Sequence, residues 1–273
     1  MDQNELFSVK DKIVVISGGT GVLGAAITKH LAHESARVVV LGRNAEKISK
    51  LIASIGETKH PIVSLVADVT DEENLEKARD TLKQSVNKID VLINLAGGNM
   101  PGAVITPDQT LLDAKVSELN KVMELNYLGT FLPIKVFLPL FLTNSEGSII
   151  NISSMAAQRP ISRVLGYGSA KAAIDNLTQW LAVEFCTKHG AGLRVNAVAP
   201  GFFLTEQNRT LLTEKDGSLT ARGNQIIKNT PMARFGKPDE LLGTVQWLAS
   251  DASKFVTGII VPVDGGFNSY SGV

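Results

Sequence analysis

Lys12–Gly24 reads KIVVISGGTGVLG, and the fold class of the whole chain follows from it. Lys12–Ser17 is a short run dominated by Ile and Val, the composition of a buried strand. A glycine-rich turn follows at once, and Val22–His33 then places apolar residues at helical spacing. Within the turn, Gly19-Thr20-Gly21-Val22-Leu23-Gly24 fits the pattern G-x-G-x-x-G. Glycines there permit a tight turn and let backbone amides approach a pyrophosphate, while the helix N-terminus supplies positive dipole. Strand, turn and helix together predict a dinucleotide site at the head of an α/β sheet.

The same rhythm continues along the chain. Arg37–Leu41, Ile62–Ala67, Ile89–Leu95, Ser148–Ile152 and Leu193–Ala199 read as further strands. Asn44–Ile55, Asp71–Val86, the segment Thr110–Leu142 and Gly166–His189 read as the helices between them. Such alternation predicts a parallel sheet with helices on both faces, and no linker, charge run or repeat divides it. We therefore expect one domain over residues 1–273. Phe202–Gly236 breaks the rhythm: it is polar, spotted with glycine and contains Lys215-Asp-Gly-Ser218. An insertion of this kind after a strand reads as a substrate-binding segment, at about residues 202–236.

Composition bounds the function. Hydrophobic residues make up 44% of 273, enough for a large core. Twenty-seven basic and 27 acidic residues cancel and are scattered, which argues against a nucleic-acid partner. A single cysteine, Cys186, allows no internal disulfide and points to a cytoplasmic protein. Met1-Asp-Gln-Asn-Glu does not resemble a secretory signal. The longest apolar stretch, Phe131–Leu142, holds Lys135 and two prolines and is too short to span a bilayer, so no membrane association is expected. His30, His33, His60 and His189 lack metal-ligand spacing, and no metal is assigned.

Candidate chemistry gathers between Ser153 and Lys171. Tyr167-Gly-Ser-Ala-Lys171 sets a phenol and an ammonium four residues apart, on one face of a helix. A tyrosine at its ordinary pKa of about 10 is a poor acid or base at neutral pH. A neighbouring cation lowers that value, and reaching pH 7 takes about three units, or about 4 kcal/mol. Ser154 leaves the carboxyl end of the Ser148–Ile152 strand, thirteen residues before Tyr167. At the end of the second strand, Gly42-Arg43 stands where an acid would greet a free ribose 2′-hydroxyl. A guanidinium there favours the 2′-phosphate of NADP. Asp68-Val69 and Asn94-Leu95-Ala96-Gly97 end the third and fourth strands, where ligands of open α/β sheets collect.

Taken together these motifs resemble the short-chain dehydrogenase/reductase family, over nearly the whole chain. The resemblance rests on Ser17-Gly-Gly-Thr-Gly-Val-Leu-Gly24, Asp68-Val69, Asn94-Leu-Ala-Gly97, Asn126 within LNYLGTF, Ser154, Tyr167 with Lys171, Pro200-Gly-Phe-Phe-Leu-Thr205 and Val263-Asp-Gly-Gly266. One departure is that the middle glycine of the turn is Gly21, with Val22 where the family has glycine. The resemblance implies a single Rossmann domain with a doubly wound, mostly parallel, seven-stranded sheet. It implies a nicotinamide dinucleotide held by Gly18, Thr20, Gly21, Val22, Leu23, Gly24, Arg43, Asp68, Val69, Asn94, Ala96 and Gly97. Tyr167, Lys171, Pro200, Gly201, Phe203 and Thr205 would complete that site. It further implies a catalytic set of Asn126, Ser154, Tyr167 and Lys171. Tyr167 exchanges the proton, Ser154 holds the substrate oxygen, Lys171 lowers the phenol pKa and bonds the nicotinamide ribose, and Asn126 holds a water leading from Lys171 to solvent. A homotetramer packed through the long helices is also implied.

The segments SSMAAQRP, APGFFLTEQNRTLLTEKDGSLTARG and DGGFNSYSGV are similar to the D-mannonate oxidoreductase (fructuronate reductase) branch of that family. That branch implies interconversion of D-fructuronate and D-mannonate, a small-molecule substrate whose carboxylate calls for a cation. Arg159, Arg163, Arg209 and Arg222 are the candidates, with Arg159 first by its distance from Ser154, while Gln158 and Asn99 offer hydroxyl contacts. The branch is expected to use NAD, whereas Gly42-Arg43 favours NADP. A ketone reductase acting at C5 of a sugar acid, or on a 3-oxoacyl thioester, remains an alternative, as does a module that senses NADP(H) without turnover.

Overall fold

In a computed structural model, which describes residues 3–205 and 208–272, seven strands form one fully parallel sheet in the order β3-β2-β1-β4-β5-β6-β7. They are β1 Ile13–Ser17, β2 Arg37–Gly42, β3 Val63–Val66, β4 Val91–Asn94, β5 Gly147–Ile152, β6 Leu193–Pro200 and β7 Ile260–Val263. A parallel sheet needs crossover helices, and those cover both faces. Alternate residues of β1 therefore serve two cores. Ile13 and Val15 join Phe137 and Phe141 in one, whereas Val14 and Ile16 join Ile27 and Leu31 in the other.

Sheet order dictates where a ligand can sit. From β1 the chain winds outward through β2 to β3, then returns to lay β4 on the other side of β1. The helices that leave β1 and β4 go in opposite directions, and a crevice opens at the carboxyl ends of these two strands. Ser17 stitches the crevice floor: its hydroxyl accepts from the Leu95 amide at 3.2 Å and the Ala96 amide at 3.4 Å. Ser17 opens the glycine-turn motif, but its role as this stitch shows only in the fold.

Local capping explains the first helices. Asn44 and Asp71 are N-caps, accepting from the amides of Lys47 at 2.9 Å and Asn74 at 3.0 Å, so the helices begin at Ala45 and Glu72. The largest difference from the sequence expectation lies in Thr110–Leu142. Thr110 caps a short 3-10 turn, Leu111–Asp113, and helix proper begins at Val116. It widens into a π turn at Glu124–Leu128 before continuing as Gly129–Leu142. Val116–Leu142 is long and apolar enough to cross a membrane by length and composition, but 56% of its apolar window is buried against the fold. It is a core helix. Phe137 lies wholly inside, so Phe137→Ala should lower unfolding free energy by about 3–5 kcal/mol in denaturant titration.

The 202–236 insertion begins directly after β6. Phe203 bridges to Gly236 in parallel and closes its base. Inside, Arg209–Leu212 and Ala221–Lys228 are short helices, and Lys215-Asp-Gly-Ser218 turns the chain between Thr213 and Leu219, which pair antiparallel. Residues 206 and 207 lie outside the described residues.

Candidate active site

A cleft of about 560 Å³ runs along the carboxyl edge of the sheet, from the β1 turn past β4 and β5 to the end of β6. At one end lies the glycine turn. Gly18 has φ of +69°, and a Cβ there would stand 2.6 Å from the Ala96 amide nitrogen. A Cβ on Gly24 would overlap the Gly18 carbonyl, so this glycine lets the helix close onto the turn. Gly21 caps the Val22–His33 helix, and the amides of its first turn have no partner one turn back. The result is a cradle of bare backbone with a positive dipole end, and it fits a pyrophosphate. Thr20, Gly21, Val22 and Leu23 all line it.

At the β2 end of the cleft, Gly42 and Arg43 are joined by Lys47, a cation the sequence reading did not pick out. Its position follows from the Asn44 cap, which fixes the first turn of that helix. Arg43 is exposed and lies 3.5 Å from Asp68. Val69 lines the cleft beside it, whereas Asp68 is committed to the local turn, accepting from the Thr70 amide at 2.9 Å and hydroxyl at 2.7 Å. Asn94 also turns away: it is buried and donates to Asn151 Oδ1 at 3.0 Å, a link within the sheet. Ala96 and Gly97 remain as the β4 contribution, and Pro200, Gly201, Phe203 and Thr205 supply the β6 side.

The third group sits between these ends. Lys171 is only 4% exposed, and its Nζ donates to the Ile152 carbonyl at 2.7 Å. That nitrogen is 5.6 Å from the centroid of the Tyr167 ring. Room for it exists because residue 97 is glycine, where a Cβ would lie 3.3 Å from Nζ and 2.6 Å from Asn126 Oδ1. Ser154 caps the one-turn helix Met155–Gln158 by accepting from the Ala156 amide at 3.2 Å, and it hydrogen-bonds with the Tyr167 phenol. Asn126 sits in the π turn, fully buried, where its amide grips the β4 loop. Oδ1 accepts from the Gly98 amide at 3.0 Å, and Nδ2 donates to the Gly98 and Val122 carbonyls, each at 2.8 Å.

Electrostatics here differ from the sequence expectation. Burial pushes the Tyr167 phenol up, with the Ser154 hydrogen bond opposing, so Lys171 does not set the direction. The ring is only half-buried and borders the open cleft, where water tempers that rise. Lys171 is the group that yields: burial lowers its pKa to about 8, against the attraction of Asp175.

None of the six sequence candidates for the substrate side, Arg159, Arg163, Arg209, Arg222, Gln158 and Asn99, lines the cleft wall. Arg159 donates from Nε to the Asn268 carbonyl at 3.0 Å, and its Nη2 bonds the same oxygen. Gln158 accepts from Asn268 Nδ2 at 2.7 Å. Both therefore fasten the C-terminal segment, a contact invisible without knowing where Asn268 folds back. Asn99 lies in the loop after β4, next to the cleft-lining Gly98, but is not itself part of the lining.

A stability consequence follows for Lys171. Its folded pKa of about 8 lies below the unfolded 10.5, so holding the cation costs stability below about pH 8, and the cost fades as pH rises towards the unfolded value. Lys171→Met should therefore be more stable than wild type at pH 7. The expected gain is about 2 kcal/mol after the lost Ile152 bond is subtracted. It should shrink steadily between about pH 8 and pH 10 in urea titrations.

Comparison with known proteins agrees with this geometry. Residues 20–268 match the short-chain dehydrogenase model described as Enoyl-(Acyl carrier protein) reductase. An uncharacterized oxidoreductase of Bacillus subtilis, UxuB, is 44% identical over 271 residues, 96% of each chain. A crystal structure from Haemophilus influenza, provisionally designated a D-mannonate oxidoreductase and holding NAD, is 40% identical with a TM-score of 0.90, covering 97% of both chains. A gluconate 5-dehydrogenase from Burkholderia cenocepacia, in complex with NADP and tartrate, is 29% identical with a TM-score of 0.85, covering 97% of this chain and 98% of that one. With a parallel seven-stranded sheet, a glycine cradle at its switch point and Ser154, Tyr167 and Lys171 converging on one cleft, the chain belongs to the short-chain dehydrogenase/reductase family and is an NAD(P)-dependent oxidoreductase.

Proposed function

We propose that the chain interconverts a sugar-acid ketone and its secondary alcohol, D-fructuronate and D-mannonate, with NADP(H) preferred. The observation that carries the acid part is a pair of arginines without an acid. Arg163 precedes the Leu165–His189 helix that bears Tyr167, and Arg222 stands in the first turn of the Ala221–Lys228 helix of the insertion. Burial, and the like charge of Arg163, hold the Arg222 guanidinium below its ordinary pKa. Neither arginine lines the cleft wall, and neither has a carboxylate partner among the described residues. Two guanidinium groups that repel each other are relieved by an anion between them, and a substrate carboxylate is such an anion. Arg163 also has φ of +74°, held by the Ile105 amide donating to its carbonyl at 3.1 Å. That left-handed conformation is unfavourable for a residue with a side chain. The segment 202–236 accordingly serves as the substrate-binding insertion.

In this reading a bound nicotinamide ring supplies or accepts the hydride. Tyr167 donates its proton to the carbonyl oxygen in reduction and removes it from the alcohol in oxidation. Ser154 hydrogen-bonds the same oxygen as charge develops on it, a contribution of about 3 kcal/mol in comparable sites. Lys171, as a cation, stabilises the phenolate that forms when the proton leaves and bonds the nicotinamide ribose. Asn126 holds the Gly97-Gly98 backbone in place beside Lys171, and its remaining acceptor capacity suits a water leading to solvent. Arg43 and Lys47 favour the extra phosphate of NADP, with no carboxylate at residue 42 to repel it. A sugar acid handled at C5 is the second reading, supported by the tartrate, a hydroxy-acid, held by the Burkholderia neighbour.

We further propose a cytoplasmic homotetramer. Val116 and Leu128 on the Val116–Leu142 helix, and Leu165, Trp180 and Val183 on the Leu165–His189 helix, are exposed apolar side chains on the two long helices. Light scattering should report four times the 29.2 kDa chain mass. A monomer under all conditions would contradict the assembly.

Spectrophotometric turnover of D-mannonate, D-gluconate and acetoacetyl thioester with each nicotinamide tests the function directly. D-mannonate with NADP should be fastest, and turnover of the thioester alone would remove the sugar-acid reading. Tyr167→Phe should lower kcat by about a thousandfold while cofactor binding persists. Arg222→Ala should raise KM for the acid about 10- to 100-fold with little change in kcat.

A further inference from the structure

Asp175 lies on the Leu165–His189 helix one turn beyond Lys171, so Tyr167, Lys171 and Asp175 form a single file along one face. Its Oδ1 is buried and has no hydrogen-bond partner among the described residues. An unsatisfied buried carboxylate oxygen is costly and demands a reason. Gln158 packs against it from the one-turn helix after β5. The Gln158 carbonyl oxygen is occupied by Asn268, at 2.7 Å, which leaves its amide hydrogens free to face the carboxylate. Arg159 clamps that same Asn268 by its carbonyl. The C-terminal segment thus braces the residue that touches Asp175.

We propose that Asp175 is a positioning residue for Lys171: its carboxylate keeps the buried ammonium charged and held beside Tyr167. This rests on the reading of Lys171 as the cation that supports Tyr167. The groups facing Lys171 are few. Tyr167 and Asp175 come from its own helix, the Ile152 carbonyl from β5, the Gly97 backbone from the β4 loop and the neutral Asn126 amide from the π turn. Asp175 is the one acid among them, and its attraction opposes the burial that strips the proton from Lys171. The groups facing Asp175 are Ser153, Gln158 and Lys171, of which only the lysine carries charge. Burial drives both groups towards their neutral forms; at Asp175 it is opposed by Ser153, Gln158 and then the Lys171 charge, and at Lys171 by the Asp175 charge.

The test is NMR titration of the full chain with ¹⁵N-labelled lysine, the Lys171 resonance being assigned by its loss in Lys171→Arg. Wild type should titrate near 8. Asp175→Asn should move Lys171 acidward by about one unit, and Asp175→Glu should restore most of the difference. The alkaline limb of the pH profile of kcat/KM should move by the same amount in the same direction. Should Asp175→Asn not fold, Gln158→Leu weakens the hold on the carboxylate and should move Lys171 the same way by a smaller step. A Lys171 titration unchanged in whichever of these variants folds overturns the proposal. The titration needs no substrate, so a normal shift in a protein without turnover would remove the proposed reaction and leave this role standing.

Discussion

Holding an ammonium in a nearly dry site is the constraint around which this molecule is arranged. Lys171 donates a hydrogen bond to the Ile152 carbonyl at 2.7 Å and is almost wholly buried. Several features of the fold exist to make space for it. The Leu165–His189 helix must ride close to the segment after β5, and Gly168 permits this: a Cβ there would stand 2.9 Å from the Ala156 carbonyl oxygen. Gly166 likewise admits Leu119 of the neighbouring helix, at 2.9 Å from where its Cβ would be. On the opposite side Gly97 separates Nζ from Asn126. A side chain at Gly168 or Gly97 would force the helix or the β4 loop beside Lys171 to shift.

The same constraint explains why the site lies at the sheet's carboxyl edge. Only there do the ends of β1, β4, β5 and β6 meet, so that a cradle for phosphates and a wall of polar side chains can share one cleft. The link between the ends is made by small contacts: Ser17 to the Leu95 and Ala96 amides, and Asn126 to Gly98. The C-terminal segment adds a brace from outside. Asp264 caps it by accepting from the Asn268 amide at 2.6 Å, and the Phe202 ring meets Phe267 edge-on at 5.1 Å. Insertion, β5 segment and C-terminus are therefore one mechanical unit around the cleft.

Much of this was legible in the residues, and the failures have physical causes. Six strands announce themselves by β-branched runs, and the glycine turn by its placement after the first. The seventh, Ile260–Val263, gives no such signal because it is a four-residue edge strand containing Pro262 and only partly buried. Proline is tolerated where no further strand needs its amide, so the usual pattern is weak there. The π turn could not be read from ELNYL, which is compatible with uninterrupted helix. What accompanies it is the bond from Asn126 to Gly98, 28 residues earlier. Nearness to Ser154 in sequence points Arg159 at a substrate carboxylate, yet its partner is Asn268, 109 residues later. The four-residue spacing predicts that the Lys171 charge lowers the Tyr167 pKa, whereas burial raises it. Sequence spacing gives proximity but not depth, and it is depth that moves both pKa values.

All of these features converge on one geometric claim: the reacting end of a nicotinamide dinucleotide lies against Tyr167, with its pyrophosphate on the glycine cradle. A crystal structure of the chain with NADPH bound tests it most directly. The pyrophosphate should lie on the Val22–Leu23 amides, the adenosine phosphate between Arg43 and Lys47, and the nicotinamide ribose within hydrogen-bond reach of Lys171. A dinucleotide bound in the reverse sense, or with its nicotinamide ring turned away from Ser154 and Tyr167, would contradict it.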